Sequence, residues 1–344
     1  MKFKKSPQTA QEKVDERREE VLSKGRKFKY PLQFSRHRIV INTILITTVI
    51  IVAIVISIWL ALYRLGMTDD FLFRITLVFP APVAYVEDKN VLFSDYLMLY
   101  RSSMTSIERQ SGSQFDEESV AHLRAEYKRS ALDDSEKYSY AIKLANELGI
   151  EVTDEEVDTE FTRHLNIGGV ERSEESFTKI IEDNFGLNKS EYKRMLRLSL
   201  TKAKVSQAID EKANRTASEV ERMLSENGDN YSAVATALGD RIIYQETGGL
   251  VDSKNIDGGR ATEATKLEPG KSSGKFVSMN GDGYYFVKLV DKTDSEVNFV
   301  SIRVPFTEFD ARFAEVKENG GISELITIDT LDSAPNTETP APTE

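Results

Sequence analysis

Tyr284 and Tyr285 stand side by side in NGDGYYFVKLVDK, which runs from Asn280 to Lys292. The glycines predict a tight turn and the residues after it alternate, so a strand would point one phenol to each face. A phenol can donate a hydrogen bond and pack against a peptide, but it does not titrate near neutral pH as an imidazole does. Imidazoles are few: His37, His122 and His164 lie far apart, with no pairing at metal-ligand spacing. The chain has no cysteine, which removes disulfides, thiol nucleophiles and thiolate metal sites. Acids gather in TDEEVD, residues 153–158, but at a helix start, where the dipole favours them without any acid–base role. No nucleophile elbow is present, SMNGDGYY lacks the lysine of a phosphate loop, and no calcium loop of the D-x-D-x-D-G type occurs. These residues point to a chain with no catalytic group, no metal and no cofactor of its own.

The elements that must position such residues begin with an anchor. Residues 1–38 carry 12 Lys/Arg against 5 Asp/Glu, a net +7, whereas the whole chain carries −11. A chain so acidic beyond its first segment is a poor partner for nucleic acid, which needs a basic surface. IVINTILITTVIIVAIVISIWLAL, Ile39 to Leu62, is apolar on every face and would span roughly 36 Å as a helix, enough for a bilayer core of about 30 Å. Trp59 and Tyr63 stand at its far end, where aromatic belts form. The run and the segment before it are too long for a cleaved signal peptide, and no small-x-small site follows. The basic flank places residues 1–38 in the cytoplasm, residues 39–63 in the membrane and the rest outside the cytoplasm. The mixed charges of EKVDERREEVLSKGRK predict a solvated, partly helical tail.

Beyond the anchor the pattern is mainly helical. PVAYVEDKNVLF alternates around a turn at Glu87–Asn90 and predicts a short extended piece. Ser94 is placed to cap the next helix, with Tyr96, Leu97, Leu99 and Tyr100 on its apolar face. Gly149 ends a helix and Thr153, with Glu156 three positions on, opens another through a capping box. Phe177, Ile180 and Ile181 form one stripe, and Ser190 is expected to cap a long helix carrying Tyr192, Leu196, Leu200 and Val205. Helix continues to about Leu224. Strands are then expected at 283–292 and in EVNFVSIRVPFTEF, followed by a helix with Phe306, Phe309 and Phe313, the pair Gly320–Gly321 and a short strand. DSAPNTETPAPTE, within 329–344, has no apolar anchor and is expected to be disordered.

Three stretches carry a resemblance. PVAYVEDKNVLFSDY resembles the opening of the helical module of SurA-, PpiD- and PrsA-type secretion chaperones. YAIKLANELGIEVTDEEVDTEF resembles the middle of that module, and FGLNKSEYKRMLRLSLTKAKV its third piece. Together they cover roughly residues 80–215 in the family's order. In that family a parvulin-type peptidyl-prolyl isomerase domain follows. Here GDRIIYQETGGLVDS and LEPGKSSGKFVSMNGDGYYFVKLVDK are similar to parvulin stretches, and the latter ends on the family's final strand. The resemblance implies that Tyr285 stands where the family has a histidine. It also implies that strand 297–304 fills the place of the opening strand with Ser301 at the first histidine position, and that Asp240 stands near the acidic position. No histidine follows His164, and NIDGGRATEATKL lacks the Met and Phe of the proline pocket.

The expected fold is therefore mainly α with a small α+β domain: a single N-terminal transmembrane helix, a helical chaperone module over 67–215, and over 216–328 a degenerate parvulin-like antiparallel sheet with helices. The expected function is a membrane-anchored holdase for unfolded exported polypeptides, without isomerase activity. An active prolyl isomerase and a non-catalytic envelope scaffold are the alternatives. Candidate peptide contacts are Tyr85, Phe93, Tyr96, Leu99 and Tyr100 on the helical side, and Phe276, Tyr285 and Phe299 on the other; apolar side chains at these spacings also serve as plain core.

Overall fold

The computed structural model describes residues 10–111, 117–166, 170, 172–255 and 257–328. The Pro/Thr-rich tail expected over 329–344 lies outside the described residues. The described chain divides into two units, Met1–Leu65 and Gly66–Glu344.

The first unit is one helix, α1 (Ala10–Tyr63). Within it Val40–Tyr63 is long and apolar enough to cross a membrane. Its isoleucines and valines are exposed on all sides, from Val40 to Ile56. The hydroxyls of Thr48 and Ser57 donate back to the carbonyls of Ile44 and Ala53, at 2.9 and 2.8 Å. Such bonds hide the polar atoms that hydrocarbon would penalise. Trp59 and Tyr63 stack at 5.8 Å near the end of the apolar run.

The second unit begins with α2 (Asp70–Val78), capped by Asp69, and a small hairpin of β1 (Pro82–Val86) and β2 (Lys89–Leu92). Six further helices follow: α3 (Phe93–Ser111), α4 (Glu117–Leu148), α5 (Asp154–Leu165), α6 (Glu174–Phe185), α7 (Lys189–Ile209) and α8 (Glu211–Glu226). Helix α4 packs on both α3 and α7, while α6 packs on α3. Gly149 stops α4 with φ +67°, a conformation that a side chain would strain. The expected capping box opens α5: the Glu156 amide donates to Thr153 Oγ1 at 3.2 Å, and the Thr153 amide to Glu156 Oε2 at 2.8 Å.

Two expected caps are corrected. Helix α3 starts at Phe93, so Ser94 lies inside its first turn and is buried. Helix α7 is capped by Asn188, whose Oδ1 accepts the Glu191 amide at 3.0 Å while the Asn188 amide donates back to Glu191 Oε2 at 2.9 Å. Ser190 merely donates to that same Oδ1, at 2.7 Å. Asparagine outcompetes serine here because only residue 188 has the Glu three positions on that completes the reciprocal pair.

After α8 come α9 (Tyr231–Leu238), a 3₁₀ turn (Gly239–Arg241), β3 (Ile243–Glu246), β4 (Val251–Asp252), α10 (Arg260–Thr265), β5 (Phe276–Val277), β6 (Gly283–Lys292) and β7 (Glu296–Pro305). The strands form an antiparallel sheet in the order β3-β7-β6-β5, with β4 also on β7. The register sets Tyr285 opposite Arg303, Val287 opposite Ser301 and Leu289 opposite Phe299. Because side chains alternate, those residues share one face, while Tyr284, Phe286, Ile302 and Val304 occupy the other. The second face is covered by α8 and α9 through Ala217, Val220, Leu224 and Val234. The first is covered by α10, whose Ala261 and Ala264 are buried against Val287, Leu289, Val297 and Phe299.

The chain then returns to where the unit began. Helix α11 (Glu308–Glu318) places Phe309 and Phe313 against Tyr140 of α4, at 5.6 and 5.8 Å between rings. Strand β8 (Ile322–Glu324) joins the first hairpin by pairing with β1, in the order β2-β1-β8. Asp210 sits at the crossing point and is almost fully buried. Its Oδ1 caps α8 at the Ala213 amide (2.7 Å), and its Oδ2 accepts the amides of Thr307 and Glu308 (2.6 and 3.0 Å). The turn before β6 also touches the helices: a Cβ on Gly281 would lie 2.3 Å from Cβ of Ala203 on α7.

Candidate functional site

A cleft of about 1000 Å³ opens in the helical part, between α2, the first hairpin, α4, α5 and α7. Its apolar lining is Leu77, Leu92, Ile142, Val157 and Leu198. Each comes from a different element, so the apolar surface exists only when the helices assemble. Charged side chains frame it, and they are largely paired with one another. Arg74 meets the buried Glu191 (Nη1–Oε1, 2.5 Å) and Arg194 meets the buried Asp95 (Nε–Oδ1, 2.5 Å). Lys193 is bound to Asp158, and Arg197 to Asp154 and the Val152 carbonyl. The hydrogen bond that Arg194 donates to Asp95 raises the pKa of its guanidinium against the opposing effect of burial. A cleft of this kind offers apolar contact flanked by fixed dipoles; its volume suits one short stretch of polypeptide. Among the described residues no group of three or more His, Asp or Glu is arranged to hold a metal ion.

The helical candidates from the sequence lie elsewhere. Phe93, Tyr96 and Tyr100 are buried in the core of α3, with Phe93 edge-on to Tyr96 at 6.2 Å and Tyr96 stacked on Tyr100 at 6.5 Å. Burial pushes the Tyr96 and Tyr100 phenols up. Leu99 on α3 and Tyr85 on β1 are half-buried. None of these five lines the cleft. The residues that do, Lys193, Arg194 and Arg197, stand at helical spacing in KSEYKRMLRLSL. That basic spacing was visible, but its acidic partners come from α3 and α5, which no local pattern connects to it.

His164 also has a structural setting. Its Nδ1 lies 2.7 Å from the Tyr192 hydroxyl and its Nε2 3.1 Å from Glu160 Oε1. Tyr192 in turn packs edge-on against Phe161 and Phe177.

On the second sheet Tyr285 is buried, stacked on Phe276 at 6.0 Å with the Arg260 guanidinium 5.4 Å from its ring centre. Its hydroxyl donates to Asp282 Oδ2 at 3.3 Å, and Arg303 Nη1 donates to the same oxygen at 2.5 Å. Burial, reinforced by the Asp282 charge, pushes the Tyr285 phenol up, so it stays neutral and acts as a donor. Desolvation opposes ionisation of Asp282, yet the Ser278 hydroxyl and Arg303 outweigh it and hold that carboxyl below its usual range. Ser301 lies on the same sheet face, buried, with its hydroxyl 3.5 Å from the Gln245 carbonyl. Asp240 is exposed on the 3₁₀ turn before β3. Phe299 is buried under α10, and Phe276 is half-buried at the sheet edge. The groups gathered around Tyr285 are thus Phe276, Asp282, Arg260 and Arg303. Asp282 was in plain view three residues before Tyr285; Arg303 and Arg260 become its neighbours only through strand pairing and the seating of α10.

Residues 33–206 match a family model described as a SurA-like N-terminal domain, half of the chain. The match runs from the anchor segment into α7 and so contains every element that lines the cleft. No curated protein matches the chain.

Proposed function

The chain belongs to the SurA-like N-terminal domain family, and from that premise we propose that it is a membrane-anchored chaperone outside the cytoplasm, holding unfolded exported polypeptides without isomerase activity. The observation that carries this reading is the cleft. It lies wholly within elements of the matched domain and combines apolar side chains from five elements with a charged frame. Contact of this sort is weak, tolerant of sequence and independent of nucleotide, as a holdase needs. Val40–Tyr63 supplies the anchor, and the excess of positive charge before it supports an N-terminus in the cytoplasm.

The sheet of β3, β5, β6 and β7 is, on this reading, a parvulin-like domain that has lost its chemistry. Pairing of β7 directly beside β6 supports the expected rearrangement, with Ser301 and Tyr285 on one face. Two features support loss of activity: the phenol of Tyr285 is buried and neutral, and α10 covers the apolar face on which a proline would have to be desolvated. The division into a helical module over 67–215 and a sheet domain over 216–328, closed by 308–324, belongs to the same proposal. So do client contacts at Tyr85 and Leu99, which keep partial exposure, while Phe93, Tyr96 and Tyr100 serve as the core beneath them.

Residues 66–344 should suppress aggregation of a chemically unfolded protein at modest molar excess. The double substitution Leu77→Glu and Ile142→Glu should weaken this by about tenfold or more, since it sets charge against an apolar client. Failure of the parent to suppress aggregation would remove the holdase reading. Clear acceleration of a proline-containing peptide, abolished by Tyr285→Phe, would replace it with an isomerase.

A further inference from the structure

Helix α2 has two faces, and both are apolar. Leu72, Phe73 and Thr76 are buried against the rest of the unit. On the opposite side Phe71 is 68% exposed and Val78, seven residues on, 70% exposed; Phe79 follows at 70%. Phe71 and Val78 lie within about 20° of each other around the helix. Single exposed apolar residues are ordinary, but Phe71 and Val78 on a nine-residue helix, with Phe79 at its C-cap, form a patch.

The covalent chain says what faces that patch. Six residues separate Tyr63, the last of the apolar span, from Asp70, the first of α2. Fully extended, they reach at most roughly 25 Å, less than one bilayer thickness. With Val40–Tyr63 in the membrane, α2 therefore begins within roughly 25 Å of the end of the span whatever the rest of the unit does. Met67, 46% exposed, adds an apolar side chain within the linker. The charges close to the patch are paired: Asp69 is engaged in capping, Asp70 meets Arg101 at 2.7 Å and Arg74 meets Glu191.

We propose that α2 lies in the membrane interface, with Phe71, Val78 and Phe79 inserted among the lipids of the leaflet on the side of the second unit. This rests on Val40–Tyr63 being a membrane span. An interfacial helix buries such residues about 5–10 Å into the headgroup–acyl boundary. It also fixes the mouth of the cleft, since Arg74 and Leu77 on α2 are part of its lining. The chaperone groove then opens at the membrane surface, where exported chains emerge.

The absence of cysteine makes the test clean. Single variants Ile50→Cys, Phe71→Cys, Val78→Cys and Leu148→Cys of the full chain are spin-labelled in phosphatidylcholine–phosphatidylglycerol nanodiscs, and collision with oxygen is compared with collision with a water-soluble nickel complex. The expected result is preference for oxygen at 50, 71 and 78, by at least about threefold over position 148, which stays aqueous. If 50 is immersed while 71 and 78 behave like 148, the interfacial helix is wrong and the span stands. If 50 is aqueous, the span reading falls and takes this proposal with it. Dipolar broadening between labels at 71 or 78 without oxygen preference would show a second copy covering the patch, which also overturns the proposal.

Discussion

At the scale of single residues, the chemistry of this chain lies in burial more than in reactivity. Glu136 on α4 is fully buried, 3.8 Å from Arg129, and neither carboxyl oxygen has a hydrogen-bond partner among the described residues. Desolvation, then repulsion from Glu324, raises its pKa to about 7, with Arg129 pulling the other way. The folded-state value thus lies above the ordinary value of 4.5, and the folded protein binds this proton more tightly than the unfolded chain. The contribution is intact below pH 4.5 and is lost as pH rises through about 7. Urea unfolding at pH 5 and pH 8 should show this loss, and Glu136→Gln should abolish it, gaining about 2–3 kcal/mol at the higher pH relative to the parent. A parent with equal stability at both pH values would contradict the assignment. The sequence gives no sign of Glu136, because a glutamate in a helix looks solvated until the strand that covers it is placed. Tyr285 is a middle case: alternation set it on the face opposite Tyr284, but both phenols are buried because helices cover both faces of the sheet.

At the scale of elements, caps and crossings hold the helices. Asn188 completes a reciprocal pair with Glu191 and Ser190 does not, so Asn188→Ala should cost about 1 kcal/mol and Ser190→Ala close to nothing. Chemical denaturation of residues 66–344 would separate them, and equal costs would restore Ser190 as the cap. Asp210 satisfies the start of α8 and the amides that open α11 at once. Asp210→Ala leaves the buried Ala213 amide and the part-buried amides of Thr307 and Glu308 without their acceptor and should cost about 2–3 kcal/mol, more than any single cap; Asp210→Asn should recover part of it. The capping box at Thr153 was legible because both partners lie within four residues. The double role of Asp210 was not, since Thr307 stands 97 positions away.

At the scale of the whole molecule, the C-terminal segment closes the second unit on its own beginning. Strand β8 adds a third strand to the first hairpin, and Glu324 on it bonds Arg129 of α4 at 2.9 Å. Truncation after Asn319 should therefore destabilise the helical part, by about 1–3 kcal/mol, and not the distant sheet alone. Hydrogen exchange would locate the loss: faster exchange in β1 and α4 is expected, and exchange confined to β5–β7 would refute the closure.

The sequence by itself determined the apolar span, the order of helices, the family and the pairing-competent strands around Tyr285. These depend on local periodicity, capping spacing and long apolar runs, all of which act over a few turns of chain. Only the tertiary structure decided which apolar surfaces stay open. The aromatic side chains of α3, the obvious candidates, were consumed as core, while the cleft was assembled from single residues of α2, β2, α4, α5 and α7. Burial is a property of the neighbours that a side chain acquires, and those neighbours come from positions that no local pattern links.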